Sequence, residues 1–185
     1  MSTTNSASSS TLLAEDRDQR LGAIISATAS AVAEDASRAA VQFAASGQAT
    51  GSVASNLTAR QHTFVVDEPA SLGGDDSATN PVEYALGSLI GCQVVTYRFW
   101  ASRLGIRLDD VEIDAIGDLD VRGFFGLDDG VRAGFADIRL DVRLTGPESA
   151  ERYAELQRAV DAHCPVLDLF TNPTPVTTTL HIVAA

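Results

Sequence analysis

Two thiols carry the reactive chemistry open to this chain. Cys92 lies inside an apolar run, Ala85 to Ala101, in which Ser88, Gln93, Thr96 and Arg98 are the polar interruptions. On a helix, Ser88, Cys92 and Thr96 fall on one stripe, at i−4, i and i+4. A thiol so placed is either packing, since free cysteine is among the most buried residue types, or a nucleophile. Mid-helix, Cys92 gets no help from its own helix dipole, so a lowered pKa requires a cation or N–H donors from elsewhere. Cys164 precedes Pro165, and proline suits the first turn of a helix. Cys164 is then the N-cap of a short helix ending near Asn172, where free N–H groups and positive potential favour a thiolate. His163 adjoins it, but sequence neighbours on a helix do not face each other. His163 is read as packing or solvent-facing rather than as a general base. The cysteines stand 72 positions apart with no CxxC, and the three histidines are scattered, which excludes a structural zinc site. Outside secreted proteins such a pair is more often catalytic or inert than a structural disulfide.

The elements that must position these thiols follow from the flanking residues. Asn80-Pro81 opens the central helix, with Asn80 as N-cap, Glu83 three residues on as in a capping box, and Gly105 closing it. The run is apolar nearly all round, which predicts a buried helix, and it is too short and interrupted for a membrane span. Glu68 to Thr79 is a turn-rich loop around Gly73-Gly74 that leads into the helix. Before it, Val41 to Ala45, Gly51 to Arg60 and His62 to Asp67 read as an antiparallel meander. After it, Leu108 to Gly117, with the pattern running on to Gly123, and Phe135 to Leu144 alternate apolar and charged residues as two long strands. Their charged faces are solvated sheet surface. Pro147 starts a second helix with Tyr153, Leu156 and Val160 on its apolar stripe, and Val176 to Val183 is a final strand. Strands grouped in meanders around two helices define an α+β domain with an antiparallel sheet.

Length and charge bound the rest. The 185 residues fit one domain with an appendage, and 45% hydrophobic residues suffice for a core. The net charge of −12 argues against nucleic acid or an anionic membrane as partner. All 13 basic residues are arginine, which, with the abundant alanine, is read as compositional bias. Residues 1–11 are a Ser/Thr-rich tail expected to be disordered, residues 12–38 an Ala-rich helical extension, and residues 39–185 the domain. The tail lacks the basic segment of a signal peptide, so a cytoplasmic location is expected.

Taken together, Asp67-Glu68-Pro69, Gly73-Gly74, Asn80-Pro81-Val82-Glu83-Tyr84, Gly91-Cys92, Gly117-Asp118-Leu119-Asp120, Cys164-Pro165 and Asn172-Pro173 resemble the OsmC/Ohr superfamily, from about Val41 onward. The resemblance implies an intertwined homodimer with two central cysteine helices between antiparallel sheets and active sites at the subunit interface. It also implies a thiol-dependent peroxidase acting on organic hydroperoxides, with Cys92 peroxidatic and Cys164 resolving. The reductant would be a dithiol, either a lipoylated protein or a thioredoxin-type donor, with no metal or bound cofactor. Apolar walls from Leu89, Val95, Phe99 or Trp100 would suit alkyl or lipid peroxides. The hydroperoxide-resistance branch has an acidic residue directly after the helix-opening proline, paired with an activating arginine. Here that position is Val82, so the chain looks like the broader OsmC-like branch. Glu83 lies about 180° around the helix from Cys92 and is read as a cap before a catalytic group. Arg60 is the candidate activating arginine. The alternative is a non-enzymatic protein of the same fold that binds a small apolar ligand or senses redox state.

Overall fold

The computed structural model describes residues 5–184, and for residues 5–13 only the helical backbone. The chain begins with one long helix, α1 (Asn5–Glu34), followed by a 3-10 turn at Ala36–Ala39. The expected tail at 1–11 therefore gives way to helix from Asn5, and residues 1–4 lie outside the described part. The helix lies on the central one, α2 (Pro81–Leu104), through polar contacts with its last turn and with the segment just after it. Arg17 Nη2 donates to the Leu108 carbonyl at 2.6 Å and Ser102 Oγ to the Asp18 carbonyl at 2.9 Å. Among the described residues no helix is long and apolar enough to cross a membrane.

The meander comprises β1 (Ser46–Thr50), β2 (Ala54–Ala59) and β3 (His62–Val66), antiparallel in the order β1-β2-β3. The first strand is thus not Val41 to Ala45, which forms no ladder. Pairing decides the matter: β2 takes Ser46 to Thr50 in register from Ser46↔Thr58 to Thr50↔Ala54, although that segment has weak strand propensity. Val41 and Phe43 stay 70% and 92% exposed. Val66 is the one residue of the three strands that is buried.

Asp67, 2% exposed, ties the following loop together. Its carboxylate accepts from Ser77 N–H (3.0 Å), Ser77 Oγ (2.8 Å), Glu68 N–H (2.8 Å) and Asp75 N–H (3.1 Å). Gly74 lies so close that a Cβ there would sit 1.8 Å from the Glu68 carbonyl oxygen, so only glycine fits. The Ser77 N–H, then its hydroxyl and the Glu68 N–H, hold Asp67 down to about 2 from an ordinary 3.8. A depressed carboxylate stabilises the fold above its unfolded pKa, and that contribution is lost as pH falls from about 4 through about 2. We expect Tm to fall over that interval, and Asp67→Asn to lower Tm at pH 7 while flattening the acid slope. An unchanged slope in the variant would remove Asp67 from this role.

Helix α2 is capped as its sequence predicts. Asn80 Oδ1 accepts from Glu83 N–H at 2.8 Å, Glu83 Oε2 accepts from Asn80 N–H at 3.1 Å, and Gly105 closes the helix at φ 61°. It is not buried all round. Leu89, Gln93, Thr96, Tyr97 and Ala101 form its buried side, while Val95 is 55% exposed. The buried side meets the hairpin of β4 (Asp110–Asp118) and β5 (Asp137–Thr145), paired from Asp110↔Thr145 to Asp118↔Asp137. Strict alternation puts Val111, Ile113, Val142 and Leu144 inward. With Tyr97, Ala101, Ile106 and Leu108 of the central segment they form the core.

The strand pattern read through to Gly123 ends earlier. Asp120 accepts from the Arg122 N–H at 3.0 Å and caps a helical turn, α3 (Val121–Phe124), because a local Asx cap outcompetes a ladder with no partner. The next helix, α4 (Ala150–His163), starts after Pro147, with Ser149 as N-cap. Glu148 is diverted, accepting from Arg107 N–H at 3.0 Å. Leu156 and Val160 on α4 complete the core at 0% exposure. Helix α5 (Pro165–Thr171) follows directly. The expected strand Val176 to Val183 forms no ladder and is exposed throughout, since an extended segment needs a neighbour to satisfy its N–H and C=O groups.

Candidate active site around the two thiols

Both cysteines are free, Cys92 half-buried and Cys164 1% exposed. Cys164 is the joint between α4 and α5. Its N–H donates to the Val160 carbonyl (2.9 Å), closing α4, and its carbonyl accepts from Asp168 N–H (3.0 Å), opening α5. Pro165 at the first helical position makes this double use possible, since no N–H is needed there. The joint sets α5 against α2 and brings the thiols together across 72 positions of sequence. The Cys164 thiol is a hydrogen-bond partner of the Cys92 thiol, and the Val166 N–H and the Thr96 hydroxyl also lie against it. Thr96 Oγ1 also donates to the Cys92 carbonyl at 2.8 Å, which fixes the hydroxyl beside the sulfur.

The free N–H groups of α5 thus serve Cys92, through Val166, rather than Cys164 alone. Burial still dominates, pushing the Cys92 thiol above its ordinary 9.0. The Val166 N–H opposes this, Cys164 adds to the rise, and Thr96 opposes it weakly. None of these groups is a cation. Arg60 stands in the two-residue turn between β2 and β3 at φ 56° and lines a surface groove with Phe43 and Ala59. It is not among the groups acting on Cys92. Glu83 is engaged in the helix cap, nine residues and about 13 Å of helix axis from Cys92. His163 packs on Trp100 with ring centroids 4.2 Å apart, and its Nδ1 lies 2.7 Å from the Ala159 carbonyl oxygen. The ring is exposed and packed on the indole, in line with the packing or solvent-facing reading. Among the described residues no group of three or more His, Cys, Asp or Glu side chains could hold a metal ion.

An apolar groove of about 510 Å³ runs beside the thiols, between α2, β5 and α5. Neither cysteine lines it, but Leu89, one turn before Cys92, and Leu167, next to Val166, do. Of the four walls expected from sequence, only Leu89 lines it. Trp100 instead covers the core edge. The other walls come from Val82, Phe135, Ile138 and Phe170, with Arg132 at the rim. Phe135 and Arg132 sit in the β4–β5 connection, where no periodicity marks a residue as facing a site. Apart from Leu89, sequence reasoning missed this groove.

Two free thiols held in contact on an α+β scaffold, one on a capped central helix and one at a helix joint, define a dithiol protein with an adjoining apolar groove. The chain belongs to the OsmC family: the family described as OsmC-like protein matches residues 74–179, more than half of its length. Solved structures of low identity share the fold. An OsmC-like protein from Mycoplasma pneumoniae is 15% identical over 70% of this chain and 87% of its own, with a TM-score of 0.62. An organic hydroperoxide resistance protein OsmC from Legionella pneumophila is 20% identical over 71% and 90%, with a TM-score of 0.55. An OsmC-like protein of unknown function from Vibrio cholerae is 11% identical over 70% and 94%, with a TM-score of 0.57. No curated protein matches the chain in sequence.

Proposed function

We propose that the protein is a thiol-dependent peroxidase that reduces organic hydroperoxides in oxidative-stress defence, with Cys92 peroxidatic and Cys164 resolving. The contact between two free thiols carried by separate elements is the observation that carries this reading. The Cys92 sulfur attacks one peroxide oxygen of ROOH, the O–O bond breaks, and the alcohol ROH leaves with a proton, so that Cys92 becomes a sulfenic acid. The Cys164 sulfur then attacks Cys92, water leaves and a disulfide forms. An external dithiol, a lipoylated protein or a thioredoxin-type donor, reduces the disulfide by exchange and is itself oxidised. No metal or organic cofactor enters the scheme. Free thiols of this kind suit the reducing cytoplasm.

No cation among the described residues acts on Cys92, and one would come from a second copy in an intertwined homodimer. The exposed apolar segments around Phe43 and Leu180, at 92% and 81%, support such an assembly. The meander of residues 46–66, with one buried residue, supports it too. Arg60, on the exposed turn of that meander, is the candidate. An opposite charge near a thiolate lowers its pKa by about one unit or more. Arg60→Gln is therefore expected to lower kcat/KM at pH 7 about tenfold and to move the pH–rate profile upward by about one unit. An unmoved profile would exclude Arg60.

One observation favours the second reading, a non-enzymatic ligand-binding or redox-sensing protein: burial pushes the Cys92 thiol up and no cation among the described residues opposes it. Peroxide consumption separates the two. Turnover of cumene hydroperoxide by reduced protein above the rate of free dithiothreitol supports the peroxidase, and its absence supports the second reading.

A further inference from the structure

The groove beside the thiols is apolar along its length but not at its rim. Val82 and Ala85 of α2, Ile138 and Leu140 of β5, and Leu167 and Phe170 of α5 line it. Arg132 reaches it from the β4–β5 connection. Its guanidinium folds over Gly134, another lining residue, where a Cβ would lie 3.6 Å from Nη2. The backbone that carries it is held in place: a Cβ on Gly123 would meet the Arg132 carbonyl oxygen at 2.3 Å.

What sets Arg132 apart is that it lines this apolar groove without an ion pair. Of the 13 arginines in this chain of net charge −12, Arg122, Arg139, Arg143 and Arg152 near the same hairpin and helix all hold carboxylates. Arg132, like Arg20, Arg60, Arg103 and Arg158, is in none of the ion pairs among the described residues, and of these five it alone lines this groove. The one carboxylate that lines the groove, Asp137, is held by Arg139. A positive group left unmatched above an apolar trough, in a strongly acidic protein, is complementary to an anionic amphiphile. The trough has the right direction too. The α2 wall runs from Val82 to Leu89, seven residues or about 10 Å of helix axis, and Leu89 is one turn before Cys92, so an acyl chain lying along that wall points toward the thiols.

We propose that Arg132 binds the carboxylate of a fatty-acyl molecule lying in this groove, and so makes Arg132 a specificity residue for free fatty-acid substrates over neutral ones. The inference rests on the peroxidase reading only for what then happens to the bound molecule, a hydroperoxide of the acid.

The test has a binding arm that needs no turnover. Full-length reduced protein is titrated calorimetrically with decanoate and with decanol, as wild type, Arg132→Gln and Arg132→Lys. Arg132 is exposed, so neither change threatens the fold. Wild type is expected to bind decanoate more tightly than decanol despite its negative charge. Arg132→Gln should weaken decanoate about three- to fivefold with decanol unchanged, and Arg132→Lys should keep most of the affinity. In the kinetic arm, Arg132→Gln raises KM for a hydroperoxide of linoleic acid by the same factor, leaving kcat and the rate on its methyl ester alone. Decanoate binding that is absent, no tighter than decanol, or indifferent to Arg132 overturns the inference, whatever the peroxidase assay gives. Arg132-dependent decanoate binding without peroxide consumption upholds the groove assignment and removes the peroxidase reading instead.

Discussion

Cys92→Ser is expected to bring hydroperoxide consumption down to the rate of free dithiothreitol, a loss of at least about a thousandfold. The thiolate is the attacking species, and a serine hydroxyl at the same place stays protonated and lacks a base to activate it. The change is close to isosteric at a half-buried position, so circular dichroism and Tm should match wild type and make the loss a chemical one. Cys164→Ser should behave differently. It keeps the first attack, consumes about one equivalent of peroxide in a burst, and leaves Cys92 as a sulfenic acid that a dimedone probe captures. Because burial holds the Cys92 thiol above its ordinary 9.0, turnover by any form lacking a nearby cation should climb with pH through 9. Sustained turnover in Cys92→Ser would overturn the assignment of the nucleophile.

Leu156→Ala is expected to cost about 2–5 kcal/mol of stability. Leu156 is 0% exposed and packs in the cluster of Tyr97, Ala101, Ile106, Leu108 and Val160, where helices α2 and α4 meet the β4–β5 hairpin. Truncation there removes apolar contact and leaves a cavity that flanking rigid elements close only in part. Urea melts should show a lower midpoint at an unchanged slope, and Tm should fall by roughly 5–15 °C. Phe124→Ser, at a residue 68% exposed, should change stability by about 0.5 kcal/mol or less. A Leu156→Ala cost below about 1 kcal/mol would mean the cluster is not the core. The site is coupled to this core, since α4 ends at Cys164, so a loosened α4 should also slow disulfide formation.

The parts of the fold that could be read from sequence are those decided locally. The Asn80–Glu83 cap, the Pro165 helix start after Cys164 and the charged–apolar alternation around Ile138 to Leu144 depend on neighbours in sequence, and the structure has them where expected. The errors fall where the outcome depends on a distant partner. Val41 to Ala45 has a better strand composition than Ser46 to Thr50, but β2 pairs with the latter. Val176 to Val183 has alternation and no neighbour. At the site, both thiols were candidates on type and setting. Their contact, the Val166 N–H and the rim position of Arg132 are products of how α5 and the β4–β5 connection fold back, which no local pattern encodes.

The meeting of Cys92 and Cys164 also bears on the unfolded chain. A bond between them would close a loop of about 70 residues and take roughly 4 kcal/mol of conformational freedom from the denatured ensemble. Within the native structure it would join elements already in contact, and so would ask little rearrangement of α2 and α5. A protein of this design would be harder to unfold after meeting oxidant than before, so its melting temperature would record the last peroxide it encountered.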